Sequence, residues 1–144
     1  MRATVPLLTL AALTLALTGC ITPPIAEGEP FTSFAKPEPG MTALYVYRPQ
    51  KNNGGGVTYN VTLGDISMGG LRHGGYLFKQ VPPGAYEIAG TTEVRRSIPL
   101  RLKPDEVRCV RSETYAGWAM ARPGFKEVSL EQCAQEIKAT NLSI

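Results

Sequence analysis

Covalent chemistry has few places to happen in this chain. The 144 residues hold three cysteines and one histidine, His73. Any mechanism that pairs a Ser or Cys nucleophile with an imidazole base must use that ring. His73 sits between Arg72 and Gly74-Gly75, a turn-rich stretch, and is expected as an exposed loop residue. No cluster of Asp and Glu lies beside it in sequence, so neither a zinc site nor any other metal or cofactor is expected. The chain has no G-x-S-x-G. Gly54-Gly55-Gly56 lacks the Lys and the following helix that a phosphate cradle needs. A non-enzymatic protein is expected, with an enzyme dependent on His73 kept as an alternative. Cys20 is the one residue in a motif for covalent chemistry, and there the protein is the substrate.

Cys20 closes the segment Leu17-Thr18-Gly19-Cys20 at the end of an export-type leader. Arg2 is the leader's only charge, and Val5 to Leu17 is nearly unbroken apolar sequence. The segment resembles the signal of bacterial lipoproteins, in which the Cys is acylated and becomes the mature N-terminus. The small Gly19 leaves the backbone open to the peptidase, and Leu17 is the branched apolar residue three before the Cys. The apolar run is too short for the roughly 20 residues that span a bilayer. The resemblance implies several acyl chains on Cys20, and at about 0.8 kcal/mol per buried CH₂ these form a firm anchor. Ile21 stands where an Asp would mark inner-membrane retention. The expected location is therefore the periplasmic face of the outer membrane.

Removing residues 1–19 with Arg2 takes the formal net charge from +3 to +2. That balance gives no reason to expect a nucleic-acid partner. Fifteen Gly and twelve Pro suit a turn-rich β protein. Cys109 and Cys133 are the even remainder of the cysteines. In an oxidising compartment they read as one disulfide, the alternative being two buried free thiols.

Residues 21–40 carry five prolines and no hydrophobic period. Together with the lipidated Cys, residues 20–41 read as a tether, with a reach of about 60 Å if fully extended. Phe31 and Phe34 are expected either to fold back on the domain or to touch lipid. From Thr42 to Ile144 the pattern is that of one β domain. Ala43–Tyr47 is apolar on both faces, as a central strand requires. Gln50–Gly56 reads as a mobile loop. Val57, Tyr59, Val61 and Leu63 alternate with polar residues, giving a strand with one buried face. Gly64-Asp65 and Pro82-Pro83-Gly84 are turns. Ile98, Leu100 and Leu102 alternate around Pro99, which restricts that strand to a sheet edge or a bulge. Val107–Ser112 and Tyr115–Met120 read as strands, with Arg122-Pro123-Gly124 breaking the second. One helix is expected over Leu130–Ala139. Ser129 caps it, Gln132 completes a capping box, and Leu130, Cys133, Ala134 and Ile137 form its inward stripe.

Several of these pieces occur together in a known order: Leu44-Tyr45-Val46-Tyr47-Arg48-Pro49, Gly64-Asp65, Gly74-Gly75-Tyr76, Val81-Pro82-Pro83-Gly84 and Tyr86-Glu87-Ile88. In this they resemble the bacterial lipoprotein family designated domain of unknown function 2846. The resemblance implies a mostly β fold, a small antiparallel sandwich of transthyretin-like or immunoglobulin-like type with one C-terminal helix. It carries over no catalytic residue.

Binding remains the functional expectation. Arg95, Arg96, Arg101, Lys103, Arg108 and Arg111 lie close in sequence against Asp105 and Glu106. On strands, Arg101 and Lys103 share the solvent side and could meet lipid phosphates or an acidic partner. Tyr115 and Trp118 are expected as buried aromatics of the sandwich or, alternatively, as a binding platform. The reading that results is a lipid-anchored envelope module with an unidentified protein partner; the alternative is a small-ligand or lipid-binding module.

Overall fold

The computed structural model describes residues 25–51 and 56–144. Leu17, Thr18, Gly19, Cys20 and most of the Gln50–Gly56 loop lie outside them.

Among the described residues nine strands form two packed sheets. In chain order they are β1 (Thr42–Tyr47), β2 (Tyr59–Leu63), β3 (Ile66–Leu71), β4 (Gly75–Val81), β5 (Gly84–Thr91), β6 (Arg95–Leu102), β7 (Glu106–Tyr115), β8 (Arg122–Val128) and β9 (Asn141–Leu142), with helix α1 (Leu130–Ile137) before β9. One sheet has the order β8-β7-β1-β4-β9, the other β3-β2-β5-β6. The expected β-sandwich with a single short C-terminal helix is therefore present. In the five-stranded sheet, β1 pairs antiparallel with β4 but parallel with β7. The long excursion through the second sheet supplies the crossover that a parallel pair needs.

Burial follows the two-residue period where one face is inside. Tyr59, Val61 and Leu63 point inward while Asn60 is exposed. Leu100 and Leu102 do the same on β6, which is an edge strand, so Pro99 withholds no N–H from an interior ladder. These residues meet Leu44, Val46, Leu77, Val81 and Val110 from the facing sheet in the main core.

β1 is buried at every residue. Leu44 and Val46 face the main core. Ala43, Tyr45 and Tyr47 face the other way, into a second cluster with Cys109, Cys133 and Ile137. Two pieces of chain cover that outer face. One is α1, whose cap is as expected on one side only. Ser129 Oγ accepts from Gln132 N at 3.2 Å, while the Gln132 side chain turns away to donate to Glu136 Oε1 at 3.1 Å. The helix ends two residues earlier than expected, and its buried contribution is Cys133 and Ile137. Leu130 and Ala134 stay exposed, because a helix lying on a sheet hides a narrower stripe than one inside a bundle.

The other cover is the segment expected as a free tether. From Ile25 to Met41 the chain is docked. Ala26 N donates to His73 O, Gly28 N to Leu142 O and Phe31 N to Thr140 O, while Leu142 N donates back to Glu29 O. Phe31 and Phe34 meet the Tyr45 ring edge-on at 5.9 and 5.1 Å between centroids, and the Tyr45 hydroxyl accepts from Ala35 N at 2.7 Å. Composition misleads here because proline only removes donors. The residues between the prolines supply the N–H groups, and the partner surface belongs to strands far away in sequence.

Cys109 on β7 and Cys133 on α1 form the expected disulfide, with Cα atoms 6.2 Å apart. It fastens the helix to the outer face of the sheet. Closing that loop is worth about 3 kcal/mol on the chain-entropy account. Reductant should therefore lower the urea midpoint of the wild-type protein to that of a Cys109→Ala/Cys133→Ala variant, which itself should not respond to reductant. An unchanged wild-type midpoint would rule out a stabilising bond.

Candidate functional site

The feature that stands out lies where β7 turns into β8. β7 runs four residues past Arg111, the residue registered with the end of β1, before it leaves the ladder at Tyr115. The chain rejoins at Arg122, registered against Tyr115. Between them lies a loop, Ala116–Ala121. Trp118 on this loop is 95% exposed, and Tyr115 and Met120 are 59% and 45% exposed.

An apolar loop of this kind is held in shape by polar contacts at its base. Glu93, in the β5–β6 turn of the facing sheet, supplies them. Its Oε1 accepts from Trp118 N at 3.0 Å and from Arg122 Nε at 2.8 Å, and its Oε2 accepts from Ala119 N at 3.1 Å. These bonds, led by that from Arg122, hold the carboxyl pKa down to about 2. Gly117 completes the fit: a Cβ there would run into Met120 O and the Glu93 carboxylate. Beside the loop, a groove of about 370 Å³ is lined by Arg96, Ile98, Tyr115, Arg122 and Phe125. A second hollow of about 580 Å³ lies under Tyr115 and Met120.

Three expectations are corrected here. Tyr115–Met120 is not a strand, and Trp118 is not part of the core. The Tyr59 and Phe125 rings pack in the core between the sheets, 6.5 Å apart. Arg122-Pro123-Gly124 does not break a strand but opens β8. That strand is a sheet edge, where proline is tolerated, and the Tyr115 ring lies over Gly124, where a Cβ would collide with it.

The six basic residues do not make one face. Arg95, Arg96 and Arg101 lie on β6 with Lys103 just beyond it, while Arg108 and Arg111 lie on β7 in the other sheet. Arg95 pairs with Glu87, Arg108 with Glu127, and Arg111 with Glu113 and with Glu136. Arg101 and Lys103 do share the solvent side, at the opposite end of the sandwich from Trp118. Cross-strand neighbours distribute the charges, and spacing along the chain does not reveal them.

His73 is also placed differently from expectation. It is 6% exposed and lines a pocket of about 210 Å³ with Arg48, Lys51, Ser112, Glu113 and Thr114. Burial lowers its pKa, the Arg48 charge lowers it further, and a hydrogen bond to the Lys51 backbone works the other way. The ring is therefore neutral at pH 7, with Nδ1 buried and lacking a hydrogen-bond partner among the described residues. The Arg48 guanidinium lies 5.3 Å from the centre of the Tyr59 ring and donates to Val57 O at 2.6 Å. The Ser112 hydroxyl in this pocket is spoken for: it donates to Gly124 O at 3.0 Å and shares a 2.7 Å bond with the Tyr59 hydroxyl. A hydroxyl whose proton goes to a backbone carbonyl is not set up to lose it to a base.

Among the described residues no three His, Cys, Asp or Glu side chains converge on a metal-sized point, and no helix is long and apolar enough to cross a membrane. No protein-family model, curated protein or solved structure matches the chain.

Trp118 is the single tryptophan, so its fluorescence reports this loop alone. Because the folded-state pKa of Glu93 is depressed, the loop contacts are complete above the ordinary carboxylate range, near pH 4.5, and are lost as pH falls toward about 2. Steady-state anisotropy of Trp118 should fall over that window. A Glu93→Gln variant should show the lower anisotropy already at pH 7 and little change below it. Equal pH profiles for the two proteins would show that Glu93 does not hold the loop.

Proposed function

We propose that this protein is a non-enzymatic, lipid-anchored module of the bacterial cell envelope, held at the periplasmic face of the outer membrane by acyl chains on Cys20. Its task is positional: the anchor fixes it to the membrane, and the rigid sandwich presents a surface to another envelope component. The Leu17-Thr18-Gly19-Cys20 segment supports the anchor. A covalently closed Cys109–Cys133 pair fits an oxidising compartment.

The observation that carries the surface is the loop of Trp118. A large apolar side chain costs solubility when exposed, and the chain spends a carboxylate and a glycine on keeping this one outside. The working surface is accordingly the Tyr115–Met120 end of the sandwich and not the arginine series of β6 and β7. Three arginines of that series are occupied with carboxylates of their own domain.

A Cys20→Ala variant should accumulate as the unprocessed precursor and fail to incorporate labelled fatty acid, while wild-type protein is processed and labelled. Normal maturation of the variant would remove the anchor from this reading.

A further inference from the structure

We infer that the Trp118 loop docks on the membrane surface itself, as a second, interfacial contact beside the acylated Cys20. The inference rests on the lipid-anchored reading above and names what the exposed loop touches.

The N-terminal segment leaves the domain beside His73. Ile25 bridges to His73, and Ala26 N donates to His73 O. His73 lies beyond Tyr76, which is registered with Tyr47 at the far end of β1. Arg111 is registered with Tyr47 on the other side, and β7 continues from there to Tyr115. His73 and Thr114 line one and the same pocket. Ile25 and the Trp118 loop therefore stand at the same end of the sandwich. The loop reaches farther: four residues of strand carry it about 13 Å past the level of Tyr47.

Chain length then limits the distance to the lipid. Five peptide links separate Cys20 from Ile25. No chain of that length spans more than about 17 Å. With residues 25–41 spent on covering the sheet, the reach is far below the roughly 60 Å that a free tether would allow. An acyl-bearing Cys20 thus holds this end of the sandwich within a few headgroup thicknesses of the bilayer, each on the order of 5 Å.

The chemistry of that end suits the bilayer interface. Trp and Tyr concentrate at headgroup depth, where an apolar ring body and a polar tip are both satisfied. Met120 adds an apolar contact, and Ile25 is itself 46% exposed. Arg96 is exposed in the groove next to Tyr115, with no carboxylate in ion-pair reach among the described residues, and suits a lipid phosphate. A protein partner would more often be met by an aromatic set into a pocket-filling patch with a polar rim. Here the aromatics stand on a loop that β7 carries past the level of Tyr47, at the end of the sandwich nearest Cys20.

The test uses the full-length protein, purified from membranes and reconstituted into phosphatidylethanolamine/phosphatidylglycerol vesicles with and without brominated acyl chains. Intact mass first establishes whether Cys20 is acylated. On the acylated protein, bromolipid should quench more than about half of the Trp118 emission and the emission maximum should be blue-shifted, as for an indole at headgroup depth. A Tyr115→Ser/Met120→Ser/Arg96→Ser variant, which keeps Trp118 and the Glu93 contacts, should lose most of that quenching. Acylated protein with water-like, unquenched emission would overturn the inference and leave the anchored reading intact. A photo-crosslinker at position 120 that captures one protein in intact cells, in place of lipid, would also overturn it. Absence of acyl chains on Cys20 would defeat the anchored reading, and this inference with it.

Discussion

Tyr45 sits at the point on which the architecture turns. β1 has ladder partners on both sides, β4 and β7, and side chains on a strand alternate between faces. Sending Leu44 and Val46 into the core between the sheets obliges Ala43, Tyr45 and Tyr47 to face outward. Left in water, that face would expose aromatic surface on the order of 150 Å² or more per ring. Helix α1 and the segment from Ile25 to Met41 exist in their observed positions to cover it. Phe31, Phe34, Tyr76 and Phe78 ring Tyr45, with Phe78 stacked at 4.7 Å. The Tyr45 hydroxyl takes the N–H of Ala35, so the polar tip of the buried ring is satisfied.

The helix half of the cover has its own fastening. The Cys109–Cys133 bond joins it to β7, and Glu136 ties it to the sheet through the Tyr47 hydroxyl and Arg111 Nε, each at 2.7 Å. Burial works to raise the Glu136 pKa. The hydrogen bonds from Tyr47 and Gln132 and the charge of Arg111 outweigh it, so the carboxylate stays ionised. One anion thereby serves the helix, the central strand and its parallel neighbour.

Covering the sheet with chain from the N-terminal side has a consequence at one end of the molecule. Residues 25–41 are used as packing on the outer face of the sheet. At that same end β7 outruns its neighbours, and Glu93 reaches across from the other sheet to shape the loop that carries Trp118. A packing requirement at Tyr45 and a surface at Trp118 are thus linked by the path of a single segment.

Periodic features were legible from residue order. Ala43–Tyr47 has no polar face, and a strand without one must be central. Tyr59, Val61 and Leu63 alternate cleanly, Pro99 restricts its strand to an edge or a bulge, and Ser129 is followed by a helical stripe containing Cys133. Each of these is a local rule acting over a few residues. Position relative to distant chain was not legible. Trp118 reads as a core residue by type, and only the carboxylate of Glu93, twenty-five residues away, makes its exposed loop a stable conformation. Residues 20–41 read as a tether by composition, and His73 as a loop residue by its glycine neighbours. The arginines of β6 and β7 read as one cluster because they are close in sequence.

Sequence by itself thus determined the strand pattern, the two-sided character of β1, the helix cap and the pairing partners open to the cysteines, because side-chain period and backbone stereochemistry act locally. Tertiary structure decided which face each leftover segment covers, which charges neutralise one another and which aromatic is left in water. Those outcomes depend on surfaces assembled from residues far apart in the chain, and no short window of sequence contains both halves of such a contact.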